Sequence, residues 1–362
     1  MTILRYWFSY LRNDVLGSKG LNPHELAQMW EYKGKRESIG KDGGKKMKKL
    51  LFVYNGRSGK GQIKRYLADI INVFVQNGYY VETYPTQCVQ DAKRQIAGRG
   101  QNYDLVVVAG GDGTLNEAIS GMMRLKKRVP VGYIPCGSTN DFATSLRLPK
   151  DKLHASQIAV AGTPVYVDVG SFNRNTFIYI AAFGAFTDVS YSTPQDMKNL
   201  LGHSAYIIDA LKQFGNIMTS HHYKIEWDNS GTLEGDFIYG MVSNSISVGG
   251  FRGITGKNII LDDGLFEVTL LKKPKNPLEL QDMITGLLTQ KKCKNILNFK
   301  ASKIKFISDE KVKWVLDGEY GGNPKKVLIK NHKCAVKVMT GLELGKKDIL
   351  INKVKDTLNL DK

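Results

Sequence analysis

The first half of the chain repeats one pattern of hydrophobic and polar positions. Short apolar runs, typical of buried strands, alternate with stretches whose apolar residues recur every three or four positions, typical of amphipathic helices. The predicted strands are residues 50–54, 79–84, 105–108 and 131–134. The predicted helices are residues 63–75, 91–97 and 115–125. Strands that alternate with helices predict a parallel sheet with right-handed crossovers.

The pattern changes near residue 165 to short alternating runs. The predicted strands in this part are residues 166–169, 176–181, 223–227, 237–242, 266–271, 303–307, 313–316 and 326–329. Regular short strands separated by turns predict an antiparallel sandwich or barrel. One amphipathic helix, residues 204–218, interrupts them, and its apolar face either packs in the core or lines a pocket for acyl chains.

These patterns predict an α/β plus β fold in two domains. Residues 47–165 form an N-terminal three-layer α/β nucleotide-binding domain with a parallel sheet, and residues 166–340 form an antiparallel β-sandwich domain. Residues 341–362 include an amphipathic stretch that is expected to pack on the first domain. Residues 1–46 are either an extension ahead of a natural start at Met47 or a flexible segment whose apolar stripe anchors at a membrane interface.

Three glycine-rich turns follow the predicted parallel strands, after residues 54, 108 and 134. The carboxyl ends of parallel strands meet at one edge of a sheet, where ligands bind. Glycine amides can approach an anion closely, and the start of the following helix adds partial positive charge. The turns therefore predict a phosphate site. Asp112 lies inside the central turn, where a carboxylate either caps the helix or holds a metal ion that faces the phosphate.

Composition narrows the choice of partner. The formal net charge of +18 favours an anionic partner, such as a nucleotide, nucleic acid or an acidic membrane. The sequence has no RNP-type, zinc-finger or basic-zipper pattern, so nucleic acid is not expected. The four cysteines form no CxxC pair, which favours a reducing compartment and argues against structural zinc. No apolar run reaches the roughly 18 residues that a membrane-spanning helix needs.

Four stretches of sequence resemble the diacylglycerol kinase catalytic domain family. Residues 110–117 (GGDGTLNE) are similar to its nucleotide signature, which NAD kinases share. Residues 137–143 (GSTNDFA) are similar to its lipid-kinase motif, with Ser138 in place of threonine. Residues 261–266 (LDDGLF) and 317–322 (DGEYGG) are similar to second-domain motifs of the soluble bacterial members. The resemblance implies a kinase that uses ATP to convert diacylglycerol into phosphatidic acid.

The resemblance also implies the residues that bind ATP. The first turn departs from the usual family pattern, because Gly56 stands where most members have proline. The implied nucleotide contacts are Asn55, Gly56, Arg57, Ser58, Gly59, Lys60, Thr86, Gly110, Gly111, Asp112, Gly113, Thr114, Leu115, Asn116, Glu117 and Ser138. Of these, Lys60 can reach a phosphate as a point charge.

Phosphoryl transfer also needs a base and a metal ion. Glu319 is the implied proton acceptor for the lipid hydroxyl and Asp317 its metal-organising partner, with the reverse assignment left open. The implied network around the catalytic Mg²⁺, bridged by water, consists of Asp112, Asp141 and Asp317. The implied ligands of a second, structural Mg²⁺ are the side chain of Asp263 and the carbonyl groups of Ile260 and Leu265.

A lipid substrate requires access to the membrane. An apolar segment, residues 278–288, lies between lysines that favour anionic lipid. These lysines are Lys272, Lys273, Lys275, Lys291, Lys292 and Lys294. The expected location is the cytoplasm, peripheral on the inner face of the plasma membrane, and a homodimer is left open. The alternative functions are a kinase for phosphatidylglycerol, a sphingoid base or undecaprenol, then an NAD kinase, then a non-catalytic membrane adaptor that binds nucleotide.

Overall fold

The structure is a computed structural model of the 362-residue chain. It describes residues 47–184, 219–228, 231–245, 247–248, 251–252, 259–289 and 291–341. The predictions for residues 1–46, for the helix at 204–218 and for the C-terminal segment from residue 342 onward lie outside these residues.

The first part contains four parallel strands. Its strands are β1 (Lys48–Tyr54), β2 (Tyr79–Pro85), β3 (Leu105–Gly110) and β4 (Val131–Pro135). They lie in the order β4-β3-β1-β2, with β3 and β1 as the inner two, and every neighbouring pair is parallel. The predicted strands and their parallel arrangement are therefore confirmed, and each observed strand is longer than its prediction by one or two residues.

Five helices accompany this sheet. They are α1 (Ile63–Gln76), α2 (Asp91–Arg99), α3 (Asp112–Met122), α4 (Asp141–Ser145) and α5 (Lys152–Ala161). One face of the sheet packs on α1 and α5, where Ile63, Ile70 and Phe74 supply the apolar stripe of α1. The other face packs on α2 and α3 through residues such as Ile96 and Leu115. The two buried faces explain why β3 is apolar along its whole length.

The second part is antiparallel and is built around aromatic side chains. Its strands are β5 (Thr163–Phe172), β6 (Asn175–Phe177), β7 (Ile180–Gly184), β8 (His221–Trp227), β9 (Gly231–Ser243), β10 (Ser247–Val248), β11 (Phe251–Arg252), β12 (Phe266–Lys272), β13 (Ile296–Ala301), β14 (Lys303–Ile307), β15 (Trp314–Leu316), β16 (Glu319–Gly322) and β17 (Lys326–Thr340), with helix α6 (Pro277–Thr289) after β12. Trp314, Phe183 and Tyr223 pack ring against ring in its core.

The parallel and antiparallel strands belong to one sheet. Its main path runs β16-β15-β7-β9-β8-β14-β17-β4-β3-β1-β2. Strand β17 pairs with β14 near its start and reaches β4 near its end, and β5 pairs with β17 along both halves. The α/β plus β fold is confirmed, whereas the domain boundaries stay predictions. The predicted boundary between residues 165 and 166 falls within β5.

Some local predictions differ from the structure. The predicted strand at 176–181 is two strands, because the amide groups of residues 178–180 turn toward Asp317 and interrupt the ladder. Helix α3 begins at Asp112, three residues before the predicted start. None of the helices in the described parts of the chain is long and apolar enough to span a bilayer.

Candidate active site

The three glycine turns meet in backbone contact at the carboxyl edge of the parallel sheet. A Cβ atom at Gly59, where φ is +56°, would lie 1.9 Å from the carbonyl oxygen of Cys136. A Cβ atom at Gly137 would lie 2.8 Å from the Cα atom of Gly111. Side chains at these positions would push the turns apart, so glycine is required for the close approach. The convergence predicted from the strand order is thus present.

Side-chain hydrogen bonds fix the shape of the first and central turns. The side-chain Nδ2 of Asn55 donates to Thr114 Oγ1 at 3.3 Å, and its side-chain Oδ1 accepts from the backbone amide of Arg57 at 2.9 Å. Gly111 precedes α3, and Asp112 is the first residue of that helix. The start of α3, with its unpaired amides and partial positive charge, therefore faces the turn.

Asp112 has one bonded and one free carboxylate oxygen. Its Oδ2 accepts from the backbone amide of Asp141 at 3.2 Å, whereas Oδ1 is buried and has no hydrogen-bond partner. Burial raises the pKa of Asp112 to about 6, and the nearby charge of Asp141 adds to the rise. A buried oxygen without a partner is costly unless something binds it. Asp112 is therefore the best candidate in the turn for holding a cation.

The third turn is shaped from within by Asn140. Asn140 lies in the left-handed region with φ of +53°, and its Oδ1 accepts from the Gly137 amide at 2.9 Å. The hydroxyl group of Tyr133 donates toward Gly110 O at 3.1 Å and lies 3.3 Å from Asn140 Oδ1. Tyr133 thus ties the central and third turns together beneath the site, a role that its place inside an apolar strand did not indicate.

Asp317 comes from the antiparallel part and is completely enclosed. Its carboxylate accepts from the backbone amides of residues 178–180 at 2.7–3.0 Å and from Asn116 Nδ2 at 2.5 Å. Burial raises the pKa of Asp317, while the four hydrogen bonds oppose the rise because they favour the ionised form. The Asn116 bond joins α3 to this part of the sheet, and the same amide group donates to Thr176 O at 3.2 Å.

Glu319 lies two residues further on in a different environment. It is exposed, and its Oε1 lies 3.7 Å from the position that a Cβ atom would take at Gly113. Asp317 has φ of +48° and Gly318 has φ of +85°, so the chain turns sharply between the two carboxylates. The structure therefore brings Glu319 from the second part of the chain directly to the central glycine turn.

The remaining predicted nucleotide residues lie in different surroundings. The Thr86 amide donates to Tyr54 O at 2.9 Å, which places it beside the first turn, and Ser138 is exposed in the third turn. The side chain of Leu115 is fully buried in the core. The carboxylate of Glu117 accepts from the amides at the start of α2 instead of extending into the turn.

Asp263, the side chain implied for a structural Mg²⁺, makes contacts with two other groups. Asp263 Oδ1 accepts from the Leu265 amide at 2.9 Å, and Oδ2 lies 3.2 Å from Lys300 Nζ. The same ammonium group lies 2.9 Å from Glu267 Oε1. Among the described residues, no group of three or more His, Cys, Asp or Glu side chains gathers as a metal site. Ile260 lies in the same turn.

The fold and the site together are those of a nucleotide-binding phosphotransferase: glycine turns at a sheet edge, faced by an acidic residue from a second part of the chain. The sequence model of the Diacylglycerol kinase catalytic domain matches residues 49–172. The chain is 34% identical over 280 residues to a diacylglycerol kinase of Bacillus subtilis (strain 168), covering 76% of this chain and 91% of that protein. The chain therefore belongs to the diacylglycerol kinase family, and the predicted resemblance is confirmed.

One further relative agrees with this assignment, and a solved structure shares the fold. A diacylglycerol kinase of Staphylococcus saprophyticus is 33% identical over 307 residues, which cover 84% of this chain and 99% of that protein. A crystal structure of a diacylglycerol kinase from Bacillus anthracis str. Sterne covers 82% of this chain and 98% of its own, with a TM-score of 0.62 and 20% identity. At that identity the second comparison supports the fold alone.

Proposed function

We propose that the chain transfers the γ-phosphoryl group of ATP to the free hydroxyl group of diacylglycerol and so forms phosphatidic acid. The names of the two curated relatives support this substrate, since both are called diacylglycerol kinases. The glycine turns support ATP, because their amides and the start of α3 suit a chain of phosphates.

The observation that carries the proposal is the position of Glu319 beside the turn at Gly113. A general base must reach the hydroxyl group that attacks the phosphate. Glu319 is exposed and stands at the nucleotide turn, whereas both oxygens of Asp317 are occupied by internal hydrogen bonds. Glu319 therefore accepts the proton of the lipid hydroxyl group, and Asp317 holds the strand that carries it.

The residues at the turn also fit a catalytic Mg²⁺. Asp112 Oδ1 is buried without a partner, and Asp141 lies beside it with its amide bonded to Asp112 Oδ2. Asp112 and Asp141 would hold the ion, whose charge would offset that of the phosphates during transfer. The Asn55 and Asn140 side chains keep the surrounding turns in place, so the site is organised before ATP binds.

The proposal is tested by a phosphorylation screen with purified protein, ATP and Mg²⁺. The acceptors are diacylglycerol, phosphatidylglycerol, a sphingoid base, undecaprenol and NAD, each lipid presented in the same vesicles. We expect phosphatidic acid as the main product. Preferred phosphorylation of another acceptor would replace diacylglycerol as the substrate, and the absence of transfer to every acceptor would contradict the kinase activity.

Access to the lipid is proposed to occur through α6 and the lysines beside it. Leu278, at the start of α6, has an exposed fraction of 72%. Lys273 and Lys275 before the helix and Lys291 and Lys292 after it are exposed, so charge flanks the apolar residue on both sides. This arrangement suits peripheral binding to an anionic membrane from the cytoplasm.

A further inference from the structure

The segment between β2 and α2, residues 86–90, lies beside the proposed nucleotide site and is called the 86–90 loop. Its first residue, Thr86, lies beside the last residue of β1, because the Thr86 amide donates to Tyr54 O at 2.9 Å. It ends at Gln90, whose φ of +65° is in the left-handed region. The left-handed conformation costs free energy at a residue other than glycine, so it persists only where surrounding contacts offset that cost. The contacts that hold the loop are therefore informative.

Glu117 on α3 supplies the first of these contacts. Its Oε1 accepts from the Gln90 amide at 2.7 Å, and its Oε2 accepts from the Ala92 amide at 3.2 Å. Helix α2 has no cap from the side chain of Gln90, its own N-cap residue. Glu117 therefore caps a neighbouring helix from outside, satisfying two amide groups and placing negative charge at the positive end of α2.

Asp91 supplies the second set of contacts that hold the loop. Its Oδ2 accepts from the Gln87 amide at 2.8 Å and from the Tyr84 hydroxyl group at 3.2 Å. Helices α2 and α3 also touch closely, since a Cβ atom at Gly121 would lie 2.7 Å from Lys93 O. The loop is thus fastened at both ends to rigid elements, one of which is the helix that begins with Asp112.

An acidic residue in a phosphate-binding signature needs an explanation, because its charge repels phosphate. The hydrogen bonds of Glu117 give one, since both oxygens are used at α2. We propose that Glu117 is a positioning residue: it holds the 86–90 loop, and with it Thr86, against the nucleotide, while its own carboxylate touches neither phosphate nor metal. The inference rests on the proposed function, because it assumes that ATP occupies the glycine turns.

The test is calorimetric titration of the full chain with AMP-PNP and Mg²⁺, together with steady-state kinetics. Glu117→Gln keeps the size of the side chain but replaces one carboxylate oxygen by an NH₂ group. That group cannot accept from the backbone amide of Gln90 or Ala92 that it would face. We expect the Kd for AMP-PNP to rise about tenfold, because one charged hydrogen bond is lost. The kcat at saturating ATP and the KM for diacylglycerol should change by less than about twofold, because the reacting groups stay in place.

Two further variants make the test decisive. Asp151→Asn is the matched control, because Asp151 caps α5 by accepting from the His154 amide at 2.7 Å and lies outside the loop. Asp91→Asn loosens the loop independently and should also raise the Kd, which keeps the inference testable if Glu117→Gln does not fold.

The outcomes separate the inference from the proposed function. An unchanged Kd in a folded loop variant, or an equal rise in the Asp151→Asn control, would overturn the positioning role alone. A fall in kcat with an unchanged Kd would also overturn it, because Glu117 would then act on the chemical step. Wild-type protein without measurable affinity for AMP-PNP would overturn the proposed function and the inference together.

Discussion

Asp317 and Glu319 lie two residues apart, yet their surroundings are opposite: one side chain is buried and the other is exposed. Asp317 is buried and accepts four hydrogen bonds, so its carboxylate is a structural centre for the strand ends around it. Glu319 is exposed beside Gly113, where a substrate hydroxyl group can reach it. The left-handed conformation of Asp317 and the glycine that follows allow this divergence within a short turn.

Replacing Glu319, the proposed base, should strongly reduce turnover without harming the fold. We expect Glu319→Gln to lower kcat by about a hundredfold or more, the usual range for loss of a general base, while the KM for ATP stays close to that of the wild type. Because the side chain is exposed, the free energy of unfolding should change by less than about 0.5 kcal/mol. Kinetics and urea unfolding of the same preparation check both statements.

Asp317→Asn should affect stability first. The asparagine NH₂ group would face N–H groups that now donate to the carboxylate. At least one buried N–H group therefore loses its acceptor, at a cost of about 1–3 kcal/mol. Urea unfolding measures this loss. A variant with wild-type stability and strongly reduced kcat would instead favour Asp317 as the base and reverse the assignment.

At the scale of elements, the approach of the glycine turns depends on missing side chains. We expect Gly137→Ala to weaken ATP binding by about tenfold or more, because its Cβ atom would lie 2.8 Å from Gly111 Cα and shift both turns. Gly98→Ala in α2 is the matched control, since nothing lies within 4 Å of its Cβ position. Calorimetric titration compares the two, and equal affinities would contradict the requirement for contact between the turns.

A buried acidic residue in β12 should make stability depend on pH. Glu267 pairs across the sheet with Lys300 on β13 and Ser243 on β9. Burial raises its pKa from the ordinary 4.5 to about 7, with Lys300 opposing the rise and Asp263 adding to it. The folded protein therefore binds the proton more tightly than the unfolded chain, so its contribution is full below pH 4.5 and lost as pH rises toward 7.

This contribution amounts to at most about 3 kcal/mol. Urea unfolding of wild type and Glu267→Gln at a series of pH values between 4.5 and 8 measures it. We expect the difference in unfolding free energy between the two proteins to shift in favour of the glutamine variant as pH rises. Curves that stay parallel over the whole series would show that Glu267 does not titrate in this range.

At the scale of the whole molecule, the net charge of +18 is expected to act at a membrane surface. Replacing Lys291 and Lys292 by glutamate should weaken binding to anionic vesicles by about 30-fold or more, because two lysines are lost at about 1 kcal/mol each and the new carboxylates add repulsion. Replacing the exposed Lys126 and Lys127 by glutamate changes the net charge equally and should have a smaller effect. Vesicle co-sedimentation at several salt concentrations measures both, and equal losses would contradict a localised contact at α6.

The sequence alone determined the four strands of the parallel part and the first three helices that alternate with them, the three glycine turns and the residues that carry the family resemblance. These features depend on periodicity and backbone sterics, which neighbouring residues set. The stretches that were missed have weaker local signals. Helices α4 and α5 were not predicted, and the prediction at 326–329 covered only the start of β17, whose register shifts between His332 and Val336.

Only the tertiary structure decided what each acidic side chain does. Asp112, Glu117, Asp317 and Glu319 all lie in sequence motifs, but one has an unpartnered oxygen, one caps α2, one is enclosed and one is exposed at the turn. Their partners are distant in the chain, as with Asn116 and Asp317, which are 201 positions apart. The role of a carboxylate depends on its burial and on the hydrogen-bond donors around it. Only folding brings those donors to it, because they are distant in the chain.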